Sequence, residues 1–430
     1  MKKILRGRLF TFLRKPKNYE DTGAFEFFED GYLLVENGKI LSRGQFSQFK
    51  TIEKQIDIEI IDHRPNIIMP GFVDAHNHFP QLRVIASYGT QLLDWLKNYT
   101  FPEEKKFSKK TYCERSAKTF IQTLLNHGTT TSVSFGSVHP ESIDALFSEA
   151  LSKKMCMIAG KVMMDRNAPE GVLDTAETSY EETKNLIEKW HKKGRLKYAV
   201  SPRFCITSSE RQLELAGALM REFDDCYLQT HLSENKKEIT LAMSLFPSSK
   251  DYLDIYDRYN LLGPKSLMGH SIHLSQREIS RMAETRTVAV HCPSSNLFLG
   301  SGLYDFLRFS KNGVRTAIST DTGGGTSFSM LQNLDAAYKI QQLQNFSLDP
   351  LTSFYWATLG NACALGLQSE IGSLEIGHFA DLVVLDTKAT DLSKARLFQC
   401  ANIVEELFVL QTLGDDRFVS GVYVAGSRVK

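Results

Sequence analysis

The stretch IIMPGFVDAHNH, residues 67–78, decides the fold prediction because it joins an apolar, extended run to a pair of histidines. His76 and His78 stand two residues apart, and side chains two apart on a strand lie on the same face. Both imidazoles can therefore bind one metal ion. Taken alone the pair is weak evidence, since two neighbouring histidines are often only surface or core residues. A metal site needs further ligands at the ends of other strands.

Downstream of this stretch, short apolar runs rich in β-branched residues alternate with longer stretches of helical spacing. This rhythm predicts eight parallel strands with crossover helices, and closure into a (β/α)8 TIM barrel is the economical arrangement. An open doubly wound sheet is the alternative that the pattern leaves open. The predicted strands are residues 67–73, 128–135, 157–163, 196–202, 227–231, 266–270, 288–291 and 316–320.

Potential metal ligands stand where these predicted strands end. His231 ends the fifth strand, His270 ends the sixth, and Asp321 follows the eighth. The C-terminal rim of a barrel gathers the ends of distant strands into one pocket. Imidazoles and a carboxylate are ligands that zinc accepts, with water in a remaining position. The sequence therefore predicts a zinc site built from these residues together with His76 and His78.

Three further residues near the predicted rim allow two interpretations each. Glu234 lies three residues beyond His231, where a carboxylate can carry protons between a metal-bound water and a substrate nitrogen. It is equally a glutamate in the first turn of a helix, where the helix dipole favours it. His291 ends the seventh strand and either supports the pocket or packs in the core. His273 follows His270 by three residues and either contacts the ligand or lies just past the strand without such a contact.

The two ends of the chain read as β structure. Residues 26–46 place Asn37-Gly38 between two apolar segments, which is a strong hairpin signal. Residues 380–386 and 421–426 also have the composition of strands. We therefore expect a small β-sandwich-like domain formed by residues 1–66 and 373–430, beside a barrel over residues 67–372.

Composition restricts the partners and the compartment. The chain of 430 residues carries 51 basic and 50 acidic side chains, a net charge of +1, which gives no reason to expect nucleic acid or an anionic membrane as partner. No apolar run is long enough to span a bilayer. The seven cysteines form no CxxC pair, and their odd number argues against a disulfide framework. These features favour a cytoplasmic protein that acts on a small neutral molecule.

Several segments resemble the amidohydrolase superfamily. Residues 69–78, MPGFVDAHNH, resemble its opening signature, and residues 372–386, GSLEIGHFADLVVLD, resemble its closing one. HCPSSN at 291–296 and STDT at 319–322 fit between them. Since the resemblance covers nearly the whole chain, it implies the metal-dependent hydrolase barrel of that superfamily.

Within that superfamily the chain resembles the guanine deaminase family. The segments that carry this resemblance are HFPQ at 78–81, LLDWLKNYTFP at 92–102, SPRF at 201–204, QTHLSEN at 229–235, residues 252–262 and TDTGGG at 320–325. His273 departs from this pattern, because the family often has a tyrosine at its position.

The resemblance implies one zinc ion per chain, with iron not excluded, and a homodimer. It implies that His76, His78, His231 and Asp321 bind the metal, that His270 bonds the metal water, and that Glu234 shuttles protons. It also implies that Gln81, Arg203 and Phe204 hold the purine, while Trp95 either closes over the base or only packs its loop.

These residues suit hydrolysis at C2 of guanine, with xanthine and ammonia as products. Zinc lowers the pKa of a bound water to about 7, Asp321 accepts its proton and His270 orients it. Glu234 first protonates ring N3 and then assists departure of the amine. Arg203 donates to the C6 carbonyl, and Gln81 offers a donor and an acceptor to the ring edge.

Alternative functions match parts of the same sequence pattern. Relatives with the same metal site deaminate other purines, pyrimidines or triazines. Binuclear members commonly need a carboxylated lysine on a barrel strand. Residues 198–204 of the fourth strand offer none, and the lysine to consider is Lys161 on the third strand, which favours one metal. His139-Pro-Glu141 matches half of the cytidine-deaminase signature, but no PCxxC exists in the chain. A catalytically inactive structural relative is disfavoured because every expected ligand position is filled.

Overall fold

The computed structural model describes residues 2–49, 58–89 and 91–430. Two sheets organise them: a nearly closed barrel of parallel strands and a separate mixed sheet built from the two ends of the chain. The strands are β1 Lys2–Phe12, β2 Phe25–Glu36, β3 Lys39–Gln45, β4 Glu59–Pro70, β5 Phe72–His78, β6 Thr129–Phe135, β7 Cys156–Gly160, β8 Val162–Met163, β9 Leu196–Pro202, β10 Tyr227–Leu232, β11 Ser266–His270, β12 Val288–His291, β13 Arg315–Ile318, β14 Leu382–Leu385, β15 Val419–Val424 and β16 Ser427–Arg428.

Helices follow most of the barrel strands, as crossover connections between parallel strands require. They are α1 Phe46–Phe49, α2 Leu92–Trp95, α3 Phe101–Glu104, α4 Lys110–Asn126, α5 Pro140–Ser152, α6 Ala176–Trp190, α7 Glu210–Glu222, α8 Lys236–Leu245, α9 Tyr252–Asp257, α10 Gln276–Thr285, α11 Pro293–Phe298, α12 Phe306–Lys311, α13 Met330–Gln342, α14 Pro350–Tyr355, α15 Asn361–Leu365, α16 Asp391–Leu397 and α17 Ile403–Leu413. No helix in the described part of the chain is long and apolar enough to cross a membrane.

The barrel strands run in the order β13-β12-β11-β10-β9-β7-β6-β5, with β8 paired to β9. Every pairing in this sheet is parallel. The residues after β13 bring the last strand back to the first, because the Asp321 amide donates to the His76 carbonyl at 2.9 Å and the His78 amide donates to the Thr322 carbonyl at 2.7 Å. The predicted (β/α)8 barrel is confirmed.

The second sheet has seven strands in the order β16-β15-β14-β4-β1-β2-β3. β14, from the C-terminal part of the chain, pairs antiparallel with β4, which pairs parallel with β1. Apolar side chains from both ends share one buried cluster, for example Leu5, Leu33, Ile68 and Leu382. The predicted β structure built from both termini is confirmed as a separate sheet, and its strands form one mixed sheet.

The decisive stretch at 67–78 contains two strands. Ile67–Pro70 pairs with β14 and belongs to the terminal sheet, whereas the first barrel strand begins at Phe72. Gly71 lies between them, and a Cβ there would come within 2.2 Å of the Thr130 side chain. A glycine therefore permits the close passage of the chain from one sheet to the other, and the single strand expected over 67–73 is divided at this point.

A continuous helical segment, Leu92–Ser108, follows the first barrel strand. It comprises α2, a π-helical turn at Leu96–Thr100, α3 and a 3-10 turn at Lys105–Ser108. We call it the wall segment, because several of its side chains line the cavity at the barrel rim.

Candidate active site

The side chains expected to bind a metal meet at the carboxyl ends of the barrel strands. His76 and His78 lie at the end of β5, His231 near the end of β10 and His270 at the end of β11. Asp321 follows β13, so five side chains from four separate strands reach one place. The parallel barrel brings them together because all its strands end at the same rim.

Short distances join the four proposed metal ligands. Asp321 Oδ1 lies 3.3 Å from His76 Nε2 and 3.4 Å from His78 Nε2, while His78 Nε2 lies 3.1 Å from His231 Nε2. Among the described residues, Nε2 of His76 is buried without a hydrogen-bond partner, 3.3 Å from Asp321 Oδ1. Since buried polar atoms are rarely left unpaired, a cation between these atoms accounts for the unpaired nitrogen. Three imidazoles and a carboxylate fit a divalent metal ion such as zinc.

The protonation of these imidazoles suits metal binding. His231 Nδ1 lies 2.6 Å from the Arg203 carbonyl oxygen. Because a carbonyl only accepts, Nδ1 carries the proton and Nε2 presents its lone pair to the centre. Burial lowers the pKa of His78 and His231 well below the usual value, and the neighbouring imidazoles and Arg203 lower it further. Neutral imidazole is the form that binds metal.

Glu234 lies beside this cluster. Its Oε2 is 3.3 Å from His270 Nε2, and its Oε1 accepts a hydrogen bond of 2.8 Å from the Ser301 hydroxyl. Burial raises the pKa of Glu234 well above the usual value, and the charges of Glu238 and Asp321 raise it further. The carboxyl group therefore lies at the centre in an environment that favours its protonated form.

His270 is held from its far side. Asn296 Nδ2 lies 2.8 Å from His270 Nδ1, and His270 Nε2 lies 3.7 Å from Asp321 Oδ2. An amide N–H donated to Nδ1 leaves the ring proton on Nε2, facing Glu234 and Asp321. His270 is thus set to donate toward the reaction centre.

A second buried glutamate supports the backbone of Glu234. Both oxygens of Glu238 accept hydrogen bonds: Oε2 from the amides of Glu234 and Asn235 at 2.9 Å each, and Oε1 from the Tyr252 hydroxyl at 2.7 Å. Asn235 and Glu238 also form the capping box of α8. The loop that carries Glu234 is therefore fixed by the start of a helix.

Backbone strain is concentrated at the same place. Ser233, His270, Ser271 and Asp321 have φ between +47° and +66°, although none of them is glycine. The left-handed region is costly for residues with a side chain and persists where the surrounding structure enforces it. The strand ends are bent so that the functional side chains turn inward.

The rim cavity, defined by its lining residues, opens beside the proposed ligands. Gln81, Trp95, Arg203 and Phe204, all four expected to contact substrate, lie in its wall. The lining residues are His78, Gln81, Leu92, Trp95, Leu96, Arg203, Phe204, His231, Glu234, Glu238, His270, Leu299, Asp321 and Gly324.

Arg203 forms a buried ion pair with Glu104. Its Nη1 donates to both oxygens of Glu104, at 2.8 and 2.9 Å. Gln81 Nε2 donates to the same carboxylate at 3.1 Å. The arginine and the glutamine therefore belong to one buried network as well as to the cavity wall.

Three other residues whose roles the sequence left open make structural contacts: His291, His273 and Lys161. His291 stacks on Tyr304 with ring centroids 4.4 Å apart, and burial lowers its pKa to about 3, so it packs as a neutral ring. His273 Nε2 bonds the carbonyl of Ser301, the residue that holds Glu234. Lys161 is buried and forms ion pairs with Asp174 and Glu182.

Sequence reasoning missed four residues of the site: Glu104, Glu238, Asn296 and Ser301. Asn296 ends the HCPSSN motif of residues 291–296. The Asn-x-x-Glu spacing of Asn235 and Glu238 is a recognisable capping box. Glu104 and Ser301 carry no local signal. It also missed Cys292, which lies near His76, His270 and Asp321 but interacts with Ser319.

The barrel and its rim define a metal-dependent hydrolase: imidazoles and an aspartate at the strand ends, with a protonatable glutamate beside them. The model of the amidohydrolase family matches residues 67–429, and the chain belongs to that family.

Relatives and solved structures carry the comparison further. The guanine deaminase of Escherichia coli (strain K12) is 45% identical over 430 residues, which covers 99% of this chain and 97% of the relative. The crystal structure of guanine deaminase from Bradyrhizobium japonicum matches with a TM-score of 0.96 at 36% identity, covering 100% of this chain and 99% of that one. Guanine deaminase from C. acetobutylicum, solved with bound guanine in the active site, matches with a TM-score of 0.89 at 30% identity over 100% of both chains.

Proposed function

We propose that this protein deaminates guanine hydrolytically, giving xanthine and ammonia. The observation that carries the proposal is the rim cavity, where the His76–Asp321 cluster and Glu234 face a wall containing Arg203 and Gln81. Similarity to guanine deaminases along the whole chain supports the same substrate. A small neutral base also agrees with the near-zero net charge of the chain.

The metal that we propose is one zinc ion per chain, held by His76, His78, His231 and Asp321. The unpaired ring nitrogen of His76 and the mixed nitrogen and oxygen donors support this choice, although the same donors also accept iron. When bound, zinc supplies a water molecule that ionises near neutral pH. Lys161 is engaged by Asp174 and Glu182, which argues against a second metal bridged by a carboxylated lysine.

The protein's own side chains then move the protons. Asp321 accepts the proton of the attacking water, and His270 orients that water through Nε2–H. Glu234 donates a proton to N3 of guanine, which makes C2 more electrophilic, then takes the proton of the hydroxyl group newly attached to C2 and delivers it to the leaving amine. The proton that Asp321 took from the water finally returns Glu234 to its protonated form. The 3.3 Å contact between Glu234 and His270 supports a role for both groups at one reaction centre.

Substrate recognition is assigned to other residues that line the same cavity. Arg203 donates to the C6 carbonyl oxygen, Gln81 bonds the ring edge, and Phe204 and Trp95 supply apolar surface for the purine. Phe204 and Trp95 are both buried in the wall of the cavity. A base without the carbonyl would leave the remaining N–H donors of Arg203 without an acceptor, which can cost about 10⁴-fold in specificity.

Ammonia release from purified, zinc-loaded protein tests the proposal, with guanine, adenine, cytosine and guanosine assayed in parallel. We expect turnover of guanine alone, with xanthine as product and one metal ion per chain by elemental analysis. Turnover of another base and none of guanine would refute the assigned roles of Gln81 and Arg203.

We also propose a cytoplasmic homodimer in which residues 1–66 and 373–430 form one domain and residues 67–372 the other. All seven cysteines are free, which supports a reducing compartment. The dimer rests on resemblance and is tested by light scattering of the purified protein. Limited proteolysis followed by mass spectrometry tests the domain boundaries. Residues 1 and 50–57 of the first domain lie outside the described residues.

A further inference from the structure

One buried carboxylate contacts both polar side chains of the proposed substrate wall. Glu104 is 1% exposed and is the last residue of α3, within the wall segment. Its Oε1 accepts from Arg203 Nη1 at 2.8 Å and from Gln81 Nε2 at 3.1 Å, and its Oε2 accepts from Arg203 Nη1 at 2.9 Å. Glu104 itself is not among the residues that line the cavity, so it acts from behind them.

These contacts fix the orientation of Gln81. A carboxylate oxygen can only accept a hydrogen bond, so the amide nitrogen of Gln81 must face Glu104 and its oxygen must face away. If the amide were flipped, two oxygens would lie at hydrogen-bonding distance from each other. Glu104 therefore decides which end of this amide is left for a ligand.

The same carboxylate changes what Arg203 can recognise. Among the described residues only Nη1 of its guanidinium is hydrogen-bonded by a side chain, so Nε and Nη2 remain available as donors. The charge of Glu104 offsets the positive charge of Arg203, and both side chains are at most 4% exposed. An unpaired buried arginine would favour an anion, whereas a paired one offers N–H donors to a neutral carbonyl.

We propose that Glu104 is a positioning residue for substrate specificity: it holds Arg203 and Gln81 in the arrangement that recognises the carbonyl edge of a neutral oxopurine. The inference rests on the proposed function and deepens it. Glu104 belongs to the wall segment, which also supplies Leu92, Trp95 and Leu96 to the cavity. It therefore links carbonyl recognition by Arg203 and Gln81 to the position of this segment.

The test is Glu104→Gln, which preserves size but has one acceptor oxygen where the carboxylate has two. One of the bonds to Arg203 or Gln81 must then be lost. We expect KM for guanine to rise about 10- to 100-fold with kcat changed less than about 3-fold, because contacts made equally in the ground and transition states appear in KM. Bound metal per chain should not change.

A substrate analogue separates positioning from general damage. 2-Aminopurine keeps the C2 amine and the ring edge of guanine but lacks the C6 oxygen, so it cannot use the Arg203 contact that Glu104 supports. We expect its Ki as an inhibitor of guanine turnover, or its KM if it is a substrate, to rise at least about 3-fold less than KM for guanine in Glu104→Gln. Equal weakening of guanine and 2-aminopurine, or an unchanged KM for guanine, would overturn the inference.

The adjacent residue provides a matched control. Glu103 is also buried in α3, but it pairs with Lys106 Nζ at 2.6 Å and with the Tyr112 hydroxyl, and not with the cavity wall. Glu103→Gln should leave KM for both purines unchanged. A KM increase in this control equal to that of Glu104→Gln would show that the effect comes from the helix, and the inference would fail.

Two further measurements keep the test decisive. If Glu104→Gln does not fold, Glu104→Asp keeps the charge and withdraws the carboxylate by one methylene, and the same selective rise in KM is expected. Absence of guanine turnover by the metal-loaded wild-type protein would refute the proposed function itself. Guanine turnover that is insensitive to both Glu104 variants would refute only the role of Glu104.

Discussion

Replacement of Glu234 by glutamine removes proton transfer and little else. The carboxyl group is buried, with Oε1 bonded to the Ser301 hydroxyl at 2.8 Å and Oε2 at 3.3 Å from His270 Nε2. A hydroxyl can accept as well as donate, so an amide of the same shape can turn its nitrogen to Ser301 and its oxygen to His270. The site keeps its geometry but loses a group able to hold and release a proton.

The expected loss is large. General acid–base catalysis contributes typically about 10² to 10⁴ in rate, or about 2.7–5.4 kcal/mol of barrier. Glu234 is assigned two proton transfers, one to N3 and one to the leaving amine, so we expect kcat to fall at least about 10³-fold. KM should change less than about 3-fold, since Arg203 and Gln81 are untouched.

The assay combines steady-state ammonia release with metal analysis of the same sample. Glu278→Gln is the control: Glu278 is a buried glutamate that accepts from the Ser275 amide at 2.7 Å in the capping box of α10, and it does not line the rim cavity. It should affect stability but not kcat. A Glu234→Gln enzyme that keeps more than about a tenth of wild-type kcat with full metal content would refute the proton-shuttle role.

Three other predictions concern the metal and the residues behind it. Chelation should abolish ammonia release and lower Tm, and zinc at about 100-fold above its Kd should restore activity and add about 2.7 kcal/mol of stability; full activity of metal-free protein would contradict the metal site. Tyr252→Phe removes one of three hydrogen bonds to Glu238 and should lower kcat about 10-fold without changing KM; an unchanged kcat would limit Glu238 to a structural role. Lys161→Met leaves Asp174 without its buried cation and should lower the free energy of unfolding by about 3–5 kcal/mol, measured by denaturant titration. Metal per folded chain should stay at the wild-type value, and its loss would indicate that Lys161 contributes to metal binding.

The barrel was predictable because its signal is local and repeated. Each strand appears as a short apolar run, and each histidine or aspartate at a strand end is visible in the sequence. What the pattern could not place was the junction at Gly71, where an uninterrupted apolar run passes from the terminal sheet into the barrel. Hydropathy does not distinguish two consecutive buried strands from one.

The protonation states around the centre depended on contacts with distant residues. The tautomer of His231 follows from the Arg203 carbonyl, and that of His270 follows from Asn296. His291 and His273 illustrate the same limit, because similar strand-end positions lead one to stack on Tyr304 and the other to support Ser301. No local pattern states which polar group will lie opposite a given side chain.

The sequence by itself determined the fold class and the identity of the candidate ligands, since hydrophobic periodicity and ligand chemistry are properties of neighbouring residues. Only the tertiary structure decided that Glu104 joins Arg203 across 99 residues and that Glu238 supports Glu234. A buried charge is tolerated only where the fold supplies a partner, and that partner is chosen by the packing of the wall segment on the barrel rim. The candidate ligands can therefore be predicted from the sequence, whereas the residues that hold the site in place, such as Glu104 and Glu238, follow from the packing of the fold.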